Sequence, residues 1–157
     1  MVQRSKVEAI NNSPYKIYMA ITGGGTGFIG DFLKFGGGSQ TILGFEVPYH
    51  PFAFNRFVGY VMDKYCDENA SDALAKTSFS KALNIVQDAK ITACIDKVMG
   101  VGVAASLTKE ENEREGRWNG AFITIQLGIE KIDRKVELIS GNRQEQEQTI
   151  VDEVLQQ

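Results

Sequence analysis

The sequence predicts an α/β protein, a three-layer α/β/α sandwich with a mixed, mainly parallel sheet. The first observation is the order of the predicted segments: helix-like and strand-like segments follow one another as α-β-α-β-α-α-β-β-β-α along 157 residues. The second is the apolar run VMGVGVAAS within residues 91–106, which predicts a strand buried on both faces. The third is residues 71–89, where apolar side chains recur with the period of a helix.

The first half of the chain supplies two strands of the expected sheet. Residues 15–21 and 41–47 are rich in β-branched and aromatic side chains, which is typical of strands. Helices are expected to flank them, at residues 2–12, 28–34 and 52–61.

The second half completes the sheet and ends in a helix. Residues 122–129 and 136–140 are predicted to form two neighbouring strands. Asn142, with Glu145 three residues later, has the capping-box pattern that begins a last helix. Residues 108–117 (TKEENEREGR) carry seven charges in ten residues and are expected to form a solvated loop.

Composition narrows the class of protein. A mass of 17.3 kDa without linker or repeat indicates a single domain over residues 1–157. A net charge of −3 argues against nucleic acid as the main partner. No apolar run reaches the roughly 18 residues of a membrane span, and no signal peptide is evident, so a cytoplasmic protein is expected. Two cysteines and one histidine predict neither a disulfide framework nor a metal site, and no cofactor is expected.

Glycines are concentrated early in the chain, where eight of the 16 lie between residues 23 and 38. A literal G-x-G-x-x-G at Gly25, Gly27 and Gly30 follows a predicted strand and opens a helix, as in dinucleotide-binding folds. Amides in such a turn can bind an anion, although a tight turn without ligand is an alternative. A short-chain dehydrogenase is a remote alternative. In those enzymes the catalytic Tyr-x-x-x-Lys motif lies far beyond the glycines in the sequence, whereas here the matching residues, Tyr60 and Lys64, follow the glycines closely.

The order of motifs resembles the C-terminal domain of the competence/damage-inducible CinA proteins, the nicotinamide-nucleotide amidases. That family has a Ser-Cys-Thr-Gly-Gly turn after its first strand, a Pro-Gly-Ala-Ser turn, a Val-Thr-Tyr-Ser-Asn-x-x-Lys segment and a Gly-Asp-Arg before its last helix. In this chain Thr22 begins the first glycine turn, and Gly36-Gly37-Gly38-Ser39 forms the second. Tyr49 follows Ser39 by ten residues, the family interval, and Gly141-Asn142-Arg143 stands for Gly-Asp-Arg.

The resemblance implies an amidohydrolase that converts nicotinamide mononucleotide to nicotinate mononucleotide and ammonia. By this resemblance Ser39 is the nucleophile, and Tyr49 and Thr22 belong to the catalytic group. Arg143 matches the family arginine and has the fork geometry that binds phosphate. Backbone amides of the two turns would hold the oxyanion and the ligand, at Gly23, Gly24, Gly25 and Gly38.

The chain departs from the family at the general base. The family lysine, five residues after the tyrosine, is replaced by Phe54, which cannot accept a proton. His50, beside Tyr49, is a possible substitute base, since histidine titrates near neutral pH. Two functions therefore stay open: an amidohydrolase that uses Ser39, or a catalytically inactive module for nucleotide binding or assembly.

The expected partner is a small phosphorylated ligand, with nicotinamide mononucleotide as the first candidate. Its pocket is predicted to form where the Thr22–Gly27 turn, the Gly36–Ser39 turn, Tyr49 and Arg143 converge. Neither nucleic acid nor a membrane is expected as a partner. By the same resemblance, the protein is expected to form a homo-oligomer.

Overall fold

The computed structural model describes residues 4–107, 119–138 and 142–156. The charged loop predicted at residues 108–117 therefore lies outside the described residues, as does Gly141. The helices are α1 (Arg4–Asn11), α2 (Gly27–Leu33), α3 (Pro51–Val58), α4 (Glu68–Asp88) and α5 (Arg143–Gln156). The strands are β1 (Lys16–Thr22), β2 (Ile42–Glu46), β3 (Val98–Ser106), β4 (Gly120–Leu127) and β5 (Glu130–Glu137).

The strands form one five-stranded sheet in the order β2-β1-β3-β4-β5. β1 pairs in parallel with β2 and with β3, whereas β4 is antiparallel to both of its neighbours. Every strand except β4 therefore runs in the same direction. This arrangement confirms the predicted α/β class and the mixed, mainly parallel sheet.

One face of the sheet is covered by α4, which approaches it unusually closely. The helix presents small buried residues such as Ala75 and Ser78 to the central strand β3. A Cβ on Gly100 would lie 2.3 Å from the Ala75 carbonyl oxygen, and one on Gly102 would lie 2.3 Å from the Ser71 carbonyl oxygen. The glycines of the VMGVGVAAS run are therefore needed because the helix backbone takes the space of their side chains.

The opposite face holds the largest hydrophobic cluster. Side chains that alternate along β1 and β3, such as Ile21 and Val103, point to this face. Phe32 of α2 and Ile150 of α5 pack on them and are fully buried. Helices on both faces complete the expected three layers.

Several elements differ from the predictions in their boundaries. β5 was expected at residues 136–140 but begins at Glu130, because its run EKIDRKVE is charged and exposed and lacks the apolar signal of a strand. α4 begins earlier than predicted, since Asp67 caps it by accepting a hydrogen bond from the Ala70 amide. Thr92–Lys97 forms a 3₁₀ helix before β3.

No helix in the described ranges combines the length and the apolar character that a membrane crossing requires. Among those same residues, no three His, Cys, Asp or Glu side chains are grouped as a metal site would need.

Candidate functional site

Four strands end at the same edge of the sheet, which we call the carboxyl edge. The chain passes from β1 to β2 on one side and then returns to β3 on the other side of β1. The direction of the connections therefore switches beside β1. In open α/β sheets, ligands bind in the crevice outside the strand ends at such a switch point.

A cavity of about 680 Å³ opens at this position. Its walls come from the segments that follow β1, β2 and β3 and from the start of α5. The lining residues are Gly23, Gly24, Thr26, Tyr49, Leu107, Asn142, Arg143, Gln144 and Glu147. We call this cavity the edge pocket.

The turn after β1 brings its backbone into close contact with the end of β3. Gly23 has a φ of +81°, and a Cβ at this position would lie 1.8 Å from the Ala105 carbonyl oxygen. Gly24 is nearly as confined, because its Cβ would lie 2.9 Å from Cγ of Leu107. Only glycine satisfies both the dihedral angle and the space at Gly23. The glycines of this turn thus form a narrow wall of the edge pocket.

The amides of this turn already bind an anion, the carboxylate of Glu147. The Gly25 amide donates a hydrogen bond to Glu147 Oε2 at 2.5 Å, and the Gly27 amide donates one to Oε1 at 2.9 Å. The anion-binding character expected of the glycine turn is present, but the protein supplies the anion. Gly25 itself is buried beneath the turn and does not line the edge pocket.

The structure brings four of the predicted site residues together. Gly23 and Gly24 lie on one wall, while Tyr49 and Arg143 complete the pocket from other segments. Tyr49 follows β2 and is 63% exposed, so its phenol is accessible to a ligand. Arg143 reaches the pocket because α5 begins beside the carboxyl edge. Asn142 holds that beginning by accepting a hydrogen bond from the Glu145 amide at 2.9 Å, as the capping pattern predicts.

Ser39 and Gly38 lie at the opposite edge of the sheet. They belong to a short 3₁₀ helix, Gly38–Gln40, which precedes β2. The following residue, Thr41, accepts a hydrogen bond from the amide of Ile17 at the start of β1. Five residues of strand separate this edge from Tyr49, a span of about 17 Å. The prediction that both glycine turns converge on one pocket is therefore wrong, because one turn follows its strand and the other precedes it. The catalytic role of Ser39 stays a prediction.

Thr22 and Phe54 are buried on the face that α3 and α4 cover. Thr22 is the last residue of β1 and is 5% exposed. Phe54 is 1% exposed and packs with Ala20 and Leu74. Neither side chain lines the edge pocket. The position that the resemblance matched to the family lysine is thus part of the hydrophobic core in this protein.

His50 lies outside the edge pocket, in a neighbouring groove of about 610 Å³ that Arg56 and Lys81 also line. It caps α3, with Nδ1 accepting a hydrogen bond from the Phe52 amide at 3.2 Å. The imidazole therefore caps α3 and does not line the edge pocket, so the structure does not support His50 as the substitute base in that pocket.

Tyr60 and Lys64, the pair considered for a dehydrogenase, lie after α3 in a segment without regular structure. They line another surface depression, away from the glycine turn. The structure therefore does not assemble a dehydrogenase site around the turn.

Two polar clusters lie beyond the edge pocket. In the first, Tyr18 donates a hydrogen bond to Glu46 at 2.5 Å, and Lys81 pairs with the same carboxylate at 3.2 Å. Burial raises the pKa of the Tyr18 phenol, and the hydrogen bond to the Glu46 carboxylate raises it further. This cluster ties the end of β2 to α4.

The second cluster ties β4 and β5 to α4. The buried Thr124 hydroxyl lies 2.6 Å from Asp133 Oδ1 and 2.7 Å from Ser71 Oγ, and Lys131 donates to Asp72 at 2.7 Å. Burial by itself would raise the pKa of Asp133. Hydrogen bonds with Thr124, Asp72 and Lys131 outweigh burial and hold that pKa below its usual value. In turn, the two aspartates raise the pKa of Lys131.

Sequence reasoning missed Glu147, Asn142, Gln144 and Leu107 as pocket residues, whereas Thr26 belongs to the predicted Thr22–Gly27 turn. Glu147 had a usable signal, since it follows Arg143 by four residues on a predicted helix and residues at that spacing share a helix face. Leu107 had none, because only the strand order places the segment after β3 beside the turn after β1.

Solved structures of competence/damage-inducible proteins share this fold. The CinA superfamily protein of Escherichia coli aligns over 98% of this chain and 84% of its own, with a TM-score of 0.75 and 8% identity. The competence/damage inducible protein of Agrobacterium tumefaciens aligns over 98% of this chain and 91% of its own, with a TM-score of 0.78 and 11% identity. The Enterobacter asburiae protein aligns over 98% of this chain and 94% of its own, with a TM-score of 0.69 and 14% identity. No family model and no curated protein matches the sequence. The CinA-like fold expected from the motif order is confirmed.

Proposed function

We propose that this CinA-like domain binds a small phosphorylated ligand in the edge pocket and does not hydrolyse it. Nicotinamide mononucleotide is the first candidate ligand. The observation that carries the proposal is the composition of the pocket. Its described lining residues combine a guanidinium, a phenol and a glycine turn, and they do not include the paired nucleophile and base that amide hydrolysis needs.

Arg143 and Tyr49 support binding. A guanidinium can bind a phosphate through two parallel hydrogen bonds, and a phenol can pack against a flat ring while its hydroxyl donates to a polar group. The carboxyl-edge position and the cavity of about 680 Å³ suit a ligand of mononucleotide size.

Three placements argue against hydrolysis. Ser39 lies at the other edge of the sheet, and Phe54 is buried where the family has lysine. Among the described residues that line the edge pocket there is no lysine, histidine or cysteine. Among the same described residues the one carboxylate is that of Glu147, and both of its oxygens accept hydrogen bonds from the backbone amides of Gly25 and Gly27.

The test is calorimetric titration with nicotinamide mononucleotide together with an assay for released ammonia. We expect the wild type to bind without releasing ammonia, and Arg143→Ala to bind about tenfold or more weakly because a charge-assisted contact is lost. Two controls are matched to this variant. Arg56→Ala removes an arginine from the neighbouring groove, and Ser39→Ala removes the predicted nucleophile.

Both controls are expected to keep the wild-type affinity within about twofold, since neither touches the pocket. Absence of binding by the wild type would overturn the proposal. Ammonia release that disappears in Ser39→Ala would instead establish the amidohydrolase. Self-association and a cytoplasmic location stay predictions.

A further inference from the structure

A second pocket lies between α1, α2 and the sheet, near the edge opposite to the edge pocket. Its volume is about 300 Å³, and we call it the apolar pocket. Its floor consists of side chains that alternate along three strands, because every second residue of a strand points to the same face. These are Ile17 and Met19 of β1, Met99 and Val101 of β3, and Ile125 of β4.

The walls of the apolar pocket come from the two helices. Phe28 and Phe32 of α2 form one wall, and Ile10 of α1 forms another. The end of α1 is held by a hydrogen bond that the Asn11 side-chain amide donates to the Gly36 carbonyl at 3.2 Å. The gap between α1 and the sheet is therefore bounded by elements that the fold itself anchors.

The interior of this pocket suits a hydrocarbon better than water. Water in a cavity is stable where two to four polar groups bind it, and the described lining side chains offer only the hydroxyls of Ser13 and Tyr15. The Ser13 hydroxyl is already engaged, since it donates to the Ile10 carbonyl at 2.5 Å. Met19 and Met99 add flexible thioethers, which can adapt to the shape of an apolar ligand.

A positive charge lies beside the mouth of the apolar pocket. Ala9 is exposed and Tyr15 is half-buried, although both line the pocket, so the mouth is at these two residues. Nζ of Lys97 lies 5.6 Å from the centroid of the Tyr15 ring. In the described part of the chain, Lys97 takes part in no ion pair. Its ammonium group can therefore receive an anion at the entrance.

We propose that the apolar pocket binds a free monocarboxylate of medium chain length, such as octanoate. The hydrocarbon tail lies on the sheet between α1 and α2, and the carboxylate lies at the mouth beside Lys97. Burial of the tail supplies most of the affinity, whereas the ammonium group decides which end of the ligand faces the solvent. The proposal is independent of the proposed function, because the two pockets share no described lining residue.

The first test is calorimetric titration of the wild type with hexanoate, octanoate and decanoate. We expect the dissociation constant to fall about fourfold for each methylene added, as burial of apolar surface requires. Equal affinities for the three acids, or binding of none of them, would overturn the proposal. Neither result would bear on nicotinamide mononucleotide, which is titrated separately.

A bulky side chain at the mouth tests the location of the site. Ala9→Trp should weaken octanoate binding about tenfold or more, because the indole would fill the entrance. Ala53→Trp is the matched control, since Ala53 is an exposed position of α3 in the neighbouring groove. This control should keep the wild-type affinity within about twofold. The same affinity in both variants would overturn the assignment.

Methionine signals locate the ligand without any substitution, and they decide the matter if Ala9→Trp does not fold. In protein labelled with ¹³C at the methionine methyl groups, octanoate should shift the NMR signals of Met19 and Met99. Met62 lies outside the pocket and provides the internal control. A shift at Met62 without shifts at the other two, or no shift at all, would overturn the proposal.

The position of the carboxylate is tested by removing the charge beside the mouth. Lys97→Gln should weaken octanoate binding about fivefold and leave the binding of octan-1-ol unchanged, because the alcohol has the same tail without the charge. Lys76→Gln, at an exposed position of α4, is the control and should change neither affinity. An equal loss for the alcohol, or no loss for octanoate, would overturn the placement of the carboxylate beside Lys97.

Discussion

The two glycine turns of this protein are alike in sequence and different in structure. At the first, the neighbouring strand fixes the backbone, because a Cβ on Gly23 would meet the Ala105 carbonyl oxygen at 1.8 Å. At the second, Gly36 and Gly37 also have positive φ angles, yet the space around Gly36 is open within 4 Å. The first turn lies at the carboxyl edge and lines a pocket, whereas the second lies at the amino end of β2, where Gly36 and Gly37 are exposed and Gly38 is buried.

The difference shows that position relative to a strand, and not glycine content, decides whether a turn joins a site. A turn that follows a parallel strand reaches the carboxyl edge, where the other strand ends and the start of α5 also lie. A turn that precedes a strand lies at the other edge, however similar its residues are. Ser39 and Tyr49 flank the same strand and therefore cannot meet within one copy of the domain.

The largest expected effect tests the two turns directly. Gly23→Ala should lower the free energy of unfolding by about 4 kcal/mol, because the added Cβ collides with backbone and the residue is held at positive φ. Gly36→Ala should cost only about 1 kcal/mol, for the dihedral angle alone. Denaturant unfolding of the two variants measures both values. Equal losses would mean that Gly23 is not confined by β3.

The next effect asks whether a lysine introduced at position 54 supplies a base to the edge pocket. Phe54→Lys should destabilise the protein by about 3 kcal/mol and release no ammonia from nicotinamide mononucleotide, since the amine would be buried among apolar side chains. Phe54→Leu is the matched control and should cost about 1.5 kcal/mol. Unfolding curves and the ammonia assay provide the readouts. A stable Phe54→Lys protein that hydrolyses the ligand would contradict the buried placement of this residue.

The smallest expected effect concerns Asp133 in β5, the strand that precedes α5 in the chain. The lowered pKa of Asp133 means that its ionised form stabilises the fold above the usual carboxyl pKa of about 4. This stabilisation is lost as the pH falls through the lower value of the folded state. Asp133→Asn should therefore cost about 1 kcal/mol at pH 7, and this cost should shrink as the pH falls below the usual carboxyl pKa and through the lowered pKa of Asp133.

Unfolding free energies measured across this pH range test the effect of Asp133→Asn. Glu130→Gln, at an exposed position of the same strand, is the control and should change stability little over the same range. A cost of Asp133→Asn that does not depend on pH would contradict the role of the carboxylate charge.

Local patterns were sufficient to predict most of the fold. The apolar run of β3 and the periodicity of α4 indicated a buried central strand and a covering helix, and alternation of elements indicated the layers. The prediction placed β5 too late in the chain because the charged residues of this strand lack the apolar pattern of a strand. Pairing with β4 and the polar cluster around Thr124 hold β5 in the sheet.

The sequence by itself determined the α/β class, the glycine turn after β1 and the arginine at the start of α5, because each depends on neighbours within a few residues. Only the tertiary structure decided which of these features share a pocket. Strand order places the ends of β1, β2 and β3 together, and packing of α5 brings Glu147 onto amides more than a hundred positions earlier in the chain. Such contacts depend on how the layers assemble, and no local pattern encodes them.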